Sequence, residues 1–181
     1  MSGKRFAHPL LVKKEPKISL ASSLKTAQPC RMQTICQAEP TDADACAAIA
    51  RAAYAPYVPL IGREPPPMLQ EFPQDIAAGR CWVIGDPAEA YVVAYRRGNA
   101  WLLENVAVTP EAQGKGHGKR LIAHIEEMAR ADGAEAVELY TNAKMEANLA
   151  MYPALGFVKT EERTEKGMNR VYFRKEIRTG V

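Results

Sequence analysis

Three glycines alternate with basic and polar residues where a predicted strand passes into a predicted helix. The segment from Gln113 to Lys119 reads Gln-Gly-Lys-Gly-His-Gly-Lys, with glycines at 114, 116 and 118. Glycine lets the backbone turn its N–H groups outward and lets a ligand approach closely. The first turn of a helix adds unpaired N–H donors and partial positive charge, and Lys115 and Lys119 add more, so the segment predicts a phosphate-binding turn.

The glycine spacing excludes two common nucleotide-binding loops. A Walker A loop needs four residues between its glycines and a Ser or Thr after its Lys, but Gly114 and Gly118 are separated by three residues and Arg120 takes the last place. The dinucleotide fingerprint, Gly-x-Gly-x-x-Gly, needs two residues between its second and third glycines, but only one residue separates Gly116 and Gly118. What remains is Gln-x-x-Gly-x-Gly after a strand that contains Val106 and Val108.

A second motif lies further along the chain and consists of Asn142, Met145, Asn148, Tyr152 and the pair Gly156-Phe157. Together with the glycine loop, the Val-x-Val-x-Pro strand before it and the amphipathic helix after it, this motif resembles the GNAT superfamily of acyl-CoA-dependent N-acyltransferases. The order of predicted elements over residues 32–177 is similar to that family as well. The resemblance implies an α+β fold, a three-layer α/β/α domain around a central mixed, mostly antiparallel sheet.

The resemblance also implies which residues bind the co-substrate, acetyl-CoA. Its pyrophosphate is expected on Gln113 and on the backbone N–H groups of Gly114, Lys115, Gly116, His117, Gly118 and Lys119. In this family the strand corresponding to Val106, Ala107 and Val108 separates from its neighbour at a bulge, so that its backbone pairs with the pantetheine arm and one N–H polarises the acetyl carbonyl. Asn148 and Tyr152, four residues apart on one helix, are expected beside the pantetheine and the thioester sulfur.

The expected reaction needs a base and a group that stabilises the leaving thiolate. An amine with a pKa near that of lysine, about 10.4, is only roughly one part in two thousand neutral at pH 7, so a base should lie near it. Glu104, on the same strand as Val108, is the candidate base. Tyr152 is the candidate donor to the thiolate; because direct protonation is uphill by about 2 kcal/mol, a hydrogen bond is the alternative to proton transfer.

Each of these residues also has a structural interpretation, which the sequence leaves open. Glu104 is also explained as a solvent-facing residue of its strand, and Tyr152 as a packing residue against Phe157. His117 is better explained as a helix-start residue than as a base. Three scattered histidines and the lack of paired-cysteine spacing predict no metal site.

Hydrophobic periodicity and turn residues predict the elements that must position these side chains. Strands are predicted over 34–38, 81–84, 90–95, 101–108 and 136–140, with a final hairpin of 157–160 and 171–175. A first helix is predicted from an N-cap at Thr41 to Tyr54. A second follows the glycine loop and ends near Gly133, and a third covers 145–155. Five prolines predict a loop over 55–67, and a short helix bent or split by Pro73 follows it.

The distribution of charge divides the chain of 181 residues into a basic leader and an acidic body. Residues 1–31 contain seven Lys or Arg and one Glu, whereas the whole chain has a net charge of +3, so the remaining residues carry a net charge of −3. We therefore expect a disordered leader over 1–31 and one acetyltransferase domain over 32–181. Without a secretory segment, a membrane span or paired cysteines, the chain is expected to be cytoplasmic with reduced thiols.

The acceptor is expected to be a small-molecule amine or an amino acid. The proline-rich segment 54–68 predicts a stiff, partly aromatic wall with Tyr54, Tyr57 and Met68, while Arg63 and Glu64 offer charges. The alternatives are a protein N-terminus or lysine, an aminoacyl group on RNA, and a non-catalytic acyl-CoA-binding module. A nucleic-acid partner is expected only if the leader takes part, no membrane partner is expected, and the resemblance allows a homodimer.

Overall fold

The computed structural model describes residues 34–177, and the predicted leader lies outside the described residues. This part of the chain contains seven strands and five α-helices. The strands are β1 (Ile35–Gln37), β2 (Cys81–Gly85), β3 (Ala88–Arg97), β4 (Ala100–Val108), β5 (Ala136–Asn142), β6 (Val158–Glu165) and β7 (Met168–Glu176). The helices are α1 (Ala43–Tyr54), α2 (Val58–Ile61), α3 (Phe72–Ala77), α4 (His117–Ala131) and α5 (Glu146–Ala154).

The seven strands form one mixed sheet in the order β1-β2-β3-β4-β5-β7-β6. All neighbouring pairs are antiparallel except β4 and β5, which are parallel and are connected through α4. Apolar residues of α4 pack on one face of the sheet, in a core that includes Leu121 and Ile125. Residues of α1 and α3, among them Ile49 and Phe72, pack on the other face. The predicted three-layer α+β architecture is therefore confirmed.

The segment between α1 and β2 differs from its prediction as a loop. Pro56, Pro59 and Pro66 each stand in the first turn of a short helical segment, at Ala55–Tyr57, Val58–Ile61 and Pro66–Leu69. Proline is tolerated there because the first N–H groups of a helix have no intrahelical acceptor. The prediction of irregular structure over 55–67 was therefore wrong in part.

Two predictions at helix starts also need correction. The capping interaction lies two residues before the predicted Thr41 pair, since Asp42 Oδ2 accepts the N–H of Glu39 at 2.8 Å. Pro73 stands in the first turn of α3 and begins that helix, so the apolar residues before it belong to a separate short turn. In both cases a separate short helical turn precedes the main helix, which begins later than predicted.

The sheet opens between β4 and β5 at the position that matters for function. Pairing of these strands runs from Ala100–Ala136 to Leu103–Leu139 and then stops, although both strands continue. At the same level, β4 carries a bulge: Val93 of β3 pairs with Asn105 and Ala94 pairs with Leu103, so Glu104 is the extra residue. A bulge bends its strand and re-aims the side chains beyond it. The bulge therefore coincides with the start of the gap.

Candidate active site

The register of β4 shows which backbone groups face the gap. Hydrogen-bonded and non-hydrogen-bonded pairs alternate along an antiparallel ladder, and the Thr109 N–H bonds to Glu89 O at 2.8 Å. By this alternation Ala107 is hydrogen-bonded to Tyr91, whereas Val106 and Val108 belong to non-hydrogen-bonded pairs. The N–H and C=O groups of Val106 and Val108 thus point away from β3, toward the gap. Of the three predicted strand residues, Ala107 has its backbone occupied by β3.

The glycine loop ends in a helix N-terminus whose N–H groups are open. Gly114 and Gly116 have φ values of 82° and 81°, which side-chain-bearing residues rarely adopt, and Gly116 is the N-cap of α4. The first turn of an α-helix has no intrahelical acceptors. Within residues 34–177 no backbone acceptor pairs with the N–H groups of Gly114, Gly116, His117, Gly118 and Lys119. This group of donors is the kind of site that binds a phosphate.

Glu89, which the sequence analysis did not identify, supports this loop from β3. Its Oε2 lies 3.1 Å from His117 Nε2 and 3.4 Å from Lys115 Nζ. The hydrogen bonds to His117 and Lys115 lower the pKa of Glu89 from its ordinary value. The His117 side chain is buried and contacts Glu89, whereas its backbone N–H is one of the open donors. This arrangement favours the interpretation of His117 as a helix-start residue.

A cavity of about 610 Å³, including the part open to solvent, lies beside the gap and brings the predicted catalytic residues together. We call it the acceptor cleft. Glu104, Asn148 and Tyr152 all line it, although they come from β4 and α5. Its remaining wall is mostly apolar and aromatic, with Tyr54, Pro65, Pro66, Tyr140 and Met168 among its residues.

Glu104 is half-buried at the bulge of β4, so it is not the freely solvated strand residue of the structural interpretation. Burial raises the pKa of its carboxyl group, and the negative charge of Asp75 raises it further. A carboxylate with a raised pKa holds a proton more readily than an ordinary one does. Its position and its pKa therefore suit a general base.

Tyr152 is 5% exposed, and it both packs in the core and lines the cleft. Its ring lies 5.9 Å from that of Phe157 and 5.5 Å from that of Phe173. Burial raises the pKa of its hydroxyl far above the ordinary value. The packing interpretation is thus correct for the ring, while the cleft position keeps the functional interpretation open for the hydroxyl.

Asn148 is held by its neighbours in the second motif. Its Nδ2 donates to Thr141 Oγ1 at 3.2 Å and to the Met145 sulfur at 3.6 Å. Thr141 belongs to β5 beyond the point where β4 and β5 separate. The Asn148 side chain therefore connects α5 to β5 on the side of the gap opposite β4.

A buried polar cluster, also missed from the sequence, joins α1 to β4 just beyond the bulge. Asn105 is 3% exposed, and its Oδ1 accepts hydrogen bonds from Tyr54 at 3.1 Å and Tyr91 at 3.0 Å. The Tyr54 hydroxyl also lies 3.3 Å from Val106 O, which it can reach as a second acceptor. Among the described residues no partner satisfies Asn105 Nδ2. The cluster fixes the strand segment that carries the Val106 N–H.

The proline-rich segment covers the cleft and is attached on two sides. The Arg63 guanidinium donates to Lys166 O in the β6–β7 turn at 2.6 Å, and Lys144 Nζ donates to Leu60 O at 2.5 Å. Tyr54 lines the cleft as predicted, whereas Tyr57 and Met68 are not among its lining residues. The wall is formed instead by Ile61 and the prolines 65 to 67.

Comparison with known proteins defines the class of this chain. Residues 47–157 match the family model described as the acetyltransferase (GNAT) family, which covers more than half of the sequence. The chain belongs to the acetyltransferase (GNAT) family, as the two motifs predicted.

Two solved structures illustrate the shared fold. The ribosomal-protein-S18-alanine N-acetyltransferase of Escherichia coli has a TM-score of 0.61 and 23% identity, covering 80% of this chain and 93% of that one. The PaiA N-acetyltransferase of Thermoplasma acidophilum, in complex with coenzyme A, has a TM-score of 0.68 and 16% identity, covering 79% and 98%. At these identities the likeness shows the fold alone.

A curated relative is more similar over a short stretch. The mycothiol acetyltransferase of Paenarthrobacter aurescens (strain TC1) is 48% identical over 58 residues, which is 30% of this chain and 17% of the relative. The matched stretch thus represents about a sixth of that protein.

None of the helices in residues 34–177 has the length and apolar character needed to cross a membrane.

Proposed function

We propose that this enzyme transfers an acetyl group from acetyl-CoA to the primary amine of a small molecule or amino acid, by direct attack in a ternary complex. The observation that carries the proposal is the meeting of three features at one place. The β4–β5 gap exposes the Val106 N–H, the acceptor cleft contains Glu104 and Tyr152, and the covering segment is attached across the cleft.

The donor side of the site fits acetyl-CoA. The open N–H groups at the start of α4 suit its pyrophosphate. The N–H groups of Val106 and Val108, which point away from β3, suit an extended pantetheine arm added to β4. Acetyl-CoA supplies an activated thioester. The Val106 N–H is the candidate donor to the oxygen of the acetyl carbonyl, where negative charge develops during attack.

Glu104 is the proposed base for the acceptor amine. The neutral nitrogen attacks the carbonyl carbon, the C–S bond breaks, and the proton lost by nitrogen passes to Glu104 directly or through one water molecule. Because burial raises its pKa, the carboxylate is better matched to this proton than a solvated glutamate would be.

Tyr152 is proposed to stabilise the leaving thiolate by donating a hydrogen bond and keeping its proton. Transfer from an ordinary tyrosine to a thiolate is already uphill by about 2 kcal/mol. Burial makes the Tyr152 hydroxyl a still weaker acid, which moves proton transfer further out of reach. Asn148, one turn away, helps to fix the wall on which the thioester would lie.

The covering segment supports a small acceptor. The contacts of Arg63 with Lys166 and of Lys144 with Leu60 join the proline-rich segment to both neighbouring loops. A covering segment that is attached at two points leaves room for a short ligand, but it obstructs a polypeptide that must continue through the site. Acceptors on a protein terminus, a lysine side chain or aminoacyl-RNA remain the alternatives that the acceptor panel tests.

An acetyl-transfer assay with a panel of amines, together with thermal shift by acetyl-CoA, tests the proposal. Glu104→Gln and Tyr152→Phe are each expected to lower kcat by about 10²-fold with little change in acetyl-CoA binding. The control Glu162→Gln, an exposed residue outside the cleft, should keep full activity. Absence of transfer to any small amine, with transfer to a peptide or to aminoacyl-RNA, would contradict the proposed acceptor class.

The pH dependence gives a second test of Glu104. The base works only when ionised, so kcat/KM should fall as the pH is lowered through the pKa of Glu104, which lies above the ordinary carboxyl value. We expect Glu104→Gln to remove this acid limb from a profile measured between about pH 4 and pH 10. An unchanged acid limb in that variant would assign the base elsewhere.

A further inference from the structure

A second cavity, which we call the outer groove, adjoins the acceptor cleft. It lies between the proline-rich segment and the β6–β7 turn. Pro66, Tyr140, Met168 and Arg170 line both cavities, so the two share a wall. The outer groove is therefore a neighbouring space for the far end of a molecule whose reacting end lies beside Glu104.

The two cavities differ in charge. The acceptor cleft holds the carboxylate of Glu104 together with Arg170, which the two cavities share. The outer groove contains three cationic side chains, Arg63, Lys166 and Arg170, and one carboxylate, Glu64. Cavities with an excess of one sign of charge attract ligand groups of the opposite sign. The site thus offers a carboxylate at its inner end and an excess of positive charge at its outer end.

The two outer cations have unused capacity for an anion. Within residues 34–177, no carboxylate lies within ion-pair distance of Arg63 or Lys166. The Arg63 guanidinium donates from Nη2 to Lys166 O, which uses one of its five N–H donors. Arg170, by contrast, is already paired with Glu165 at 2.9 Å.

From this polarity we propose that the acceptor is a dipolar molecule, an amine that carries a carboxylate several atoms away. Its amino group lies at Glu104, and its carboxylate lies in the outer groove against Arg63 and Lys166. Arg and Lys recognise carboxylates through charge-assisted hydrogen bonds, which are stronger than neutral ones. This inference rests on the proposed function and adds to it the second charged group of the substrate and the residues that select it.

The test compares matched acceptors with the full-length enzyme. The panel consists of ω-amino acids with about three to six methylene groups between amine and carboxyl, and their primary amides, whose amines have nearly the same pKa. For at least one chain length, we expect kcat/KM to be about 10-fold higher for the acid than for the amide, and the preference to shrink as salt is added. Equal rates for every acid and amide would overturn this inference while leaving the proposed function intact. No transfer to either series, or to any other small amine, would overturn both.

Two variants connect the preference to these residues. Lys166→Gln removes one charge but keeps the main-chain oxygen that accepts from Arg63, and it should lower the preference for the acid about threefold by raising its KM. Arg63→Gln should act in the same direction, although it also removes the link to the turn. The control Lys159→Gln removes a lysine of the same hairpin that lines neither cavity, so the preference should not change. An acid preference that survives both Lys166→Gln and Arg63→Gln would refute the assignment.

Discussion

At the scale of single residues, the active site depends on Tyr54 and Asn105 as well as on the residues proposed to act on the substrates. Tyr54 is the last residue of α1, and its hydroxyl lies within reach of Asn105 Oδ1 and Val106 O. The cluster therefore connects a helix to the strand segment whose N–H is the proposed oxyanion donor. We regard Tyr54 and Asn105 as positioning residues.

The variant Tyr54→Phe tests this role. It removes the hydroxyl and should lower the free energy of unfolding by about 0.5–1.5 kcal/mol, as expected for one hydrogen bond. Because the oxyanion donor would be held less firmly, we expect kcat to fall about 10-fold with KM for acetyl-CoA nearly unchanged. Steady-state kinetics and denaturant unfolding measure the two effects.

The matched control is Tyr57→Phe, three residues further along. The Tyr57 ring is 6.4 Å from that of Tyr54, but its hydroxyl makes no hydrogen bond within residues 34–177. We expect wild-type kcat and stability for this variant. A Tyr54→Phe enzyme that lost stability but kept its kcat would show that the cluster is structural only.

Sequence reasoning identified residues that lie within a motif and missed those that act across the chain. Glu104 could be chosen because it precedes Val108 on one strand, and Asn148 and Tyr152 because they share a helix. Asn105 and Glu89, and the hydrogen bonds of the Tyr54 hydroxyl, depend on contacts between distant segments, and a single sequence contains no signal for such contacts. The bulge that exposes Glu104 is likewise a property of pairing between two strands.

At the scale of elements, the glycine loop depends on backbone conformation more than on space. Nothing lies within 4 Å of a Cβ built on Gly116, so the requirement for glycine there comes from its φ of 81°. Gly118 is different: it lies in α4, and a Cβ there would make an ordinary contact of 3.6 Å with Val108. Backbone conformation thus explains the glycine at 116, whereas it does not explain the glycine at 118.

This difference predicts opposite outcomes for two alanine substitutions. Gly116→Ala strains the N-cap by roughly 1–2 kcal/mol and should displace the open N–H groups, raising KM for acetyl-CoA about 10-fold or more. Gly118→Ala should fold normally and change KM by less than about threefold, since a helix accepts alanine well. Isothermal titration with coenzyme A separates binding from turnover. Equal effects of the two substitutions would show that space at the ligand, and not φ, determines the choice of glycine.

Periodic elements were predictable, and the proline-rich connection was not. The apolar runs of β3 and β4 between turn residues and the apolar face of α4 are local patterns, and these elements occur where the patterns place them. In the segment after α1, the prolines predict a loop, but Pro56 and Pro59 stand in the first turns of short helical segments. A proline ends one helix and suits the start of another, so its sequence position alone does not decide between the two roles.

At the scale of the whole molecule, the proposed functional parts all lie between Tyr54 and Arg170, within the predicted domain. Donor residues come from β4 and α4, and acceptor residues from the proline-rich segment and the β6–β7 hairpin. The single parallel pair, β4 and β5, separates these two sides. We therefore propose residues 32–181 as the catalytic unit, with its two substrates entering from opposite ends of one gap.

That gap leaves backbone groups of β4 unpaired in the middle of the sheet, and amide hydrogen exchange should detect them residue by residue. In the free enzyme the amides of Val106 and Val108 should exchange rapidly, whereas the amide of Ala107, bonded to Tyr91, should be protected. Coenzyme A should slow exchange at Val106 and Val108 and leave Ala107 unchanged. Uniform protection of all three in the free enzyme would mean that the edge is already closed. If exchange instead follows the expected pattern, the pantetheine arm of coenzyme A adds the missing strand at this edge, and the sheet is completed by binding its co-substrate.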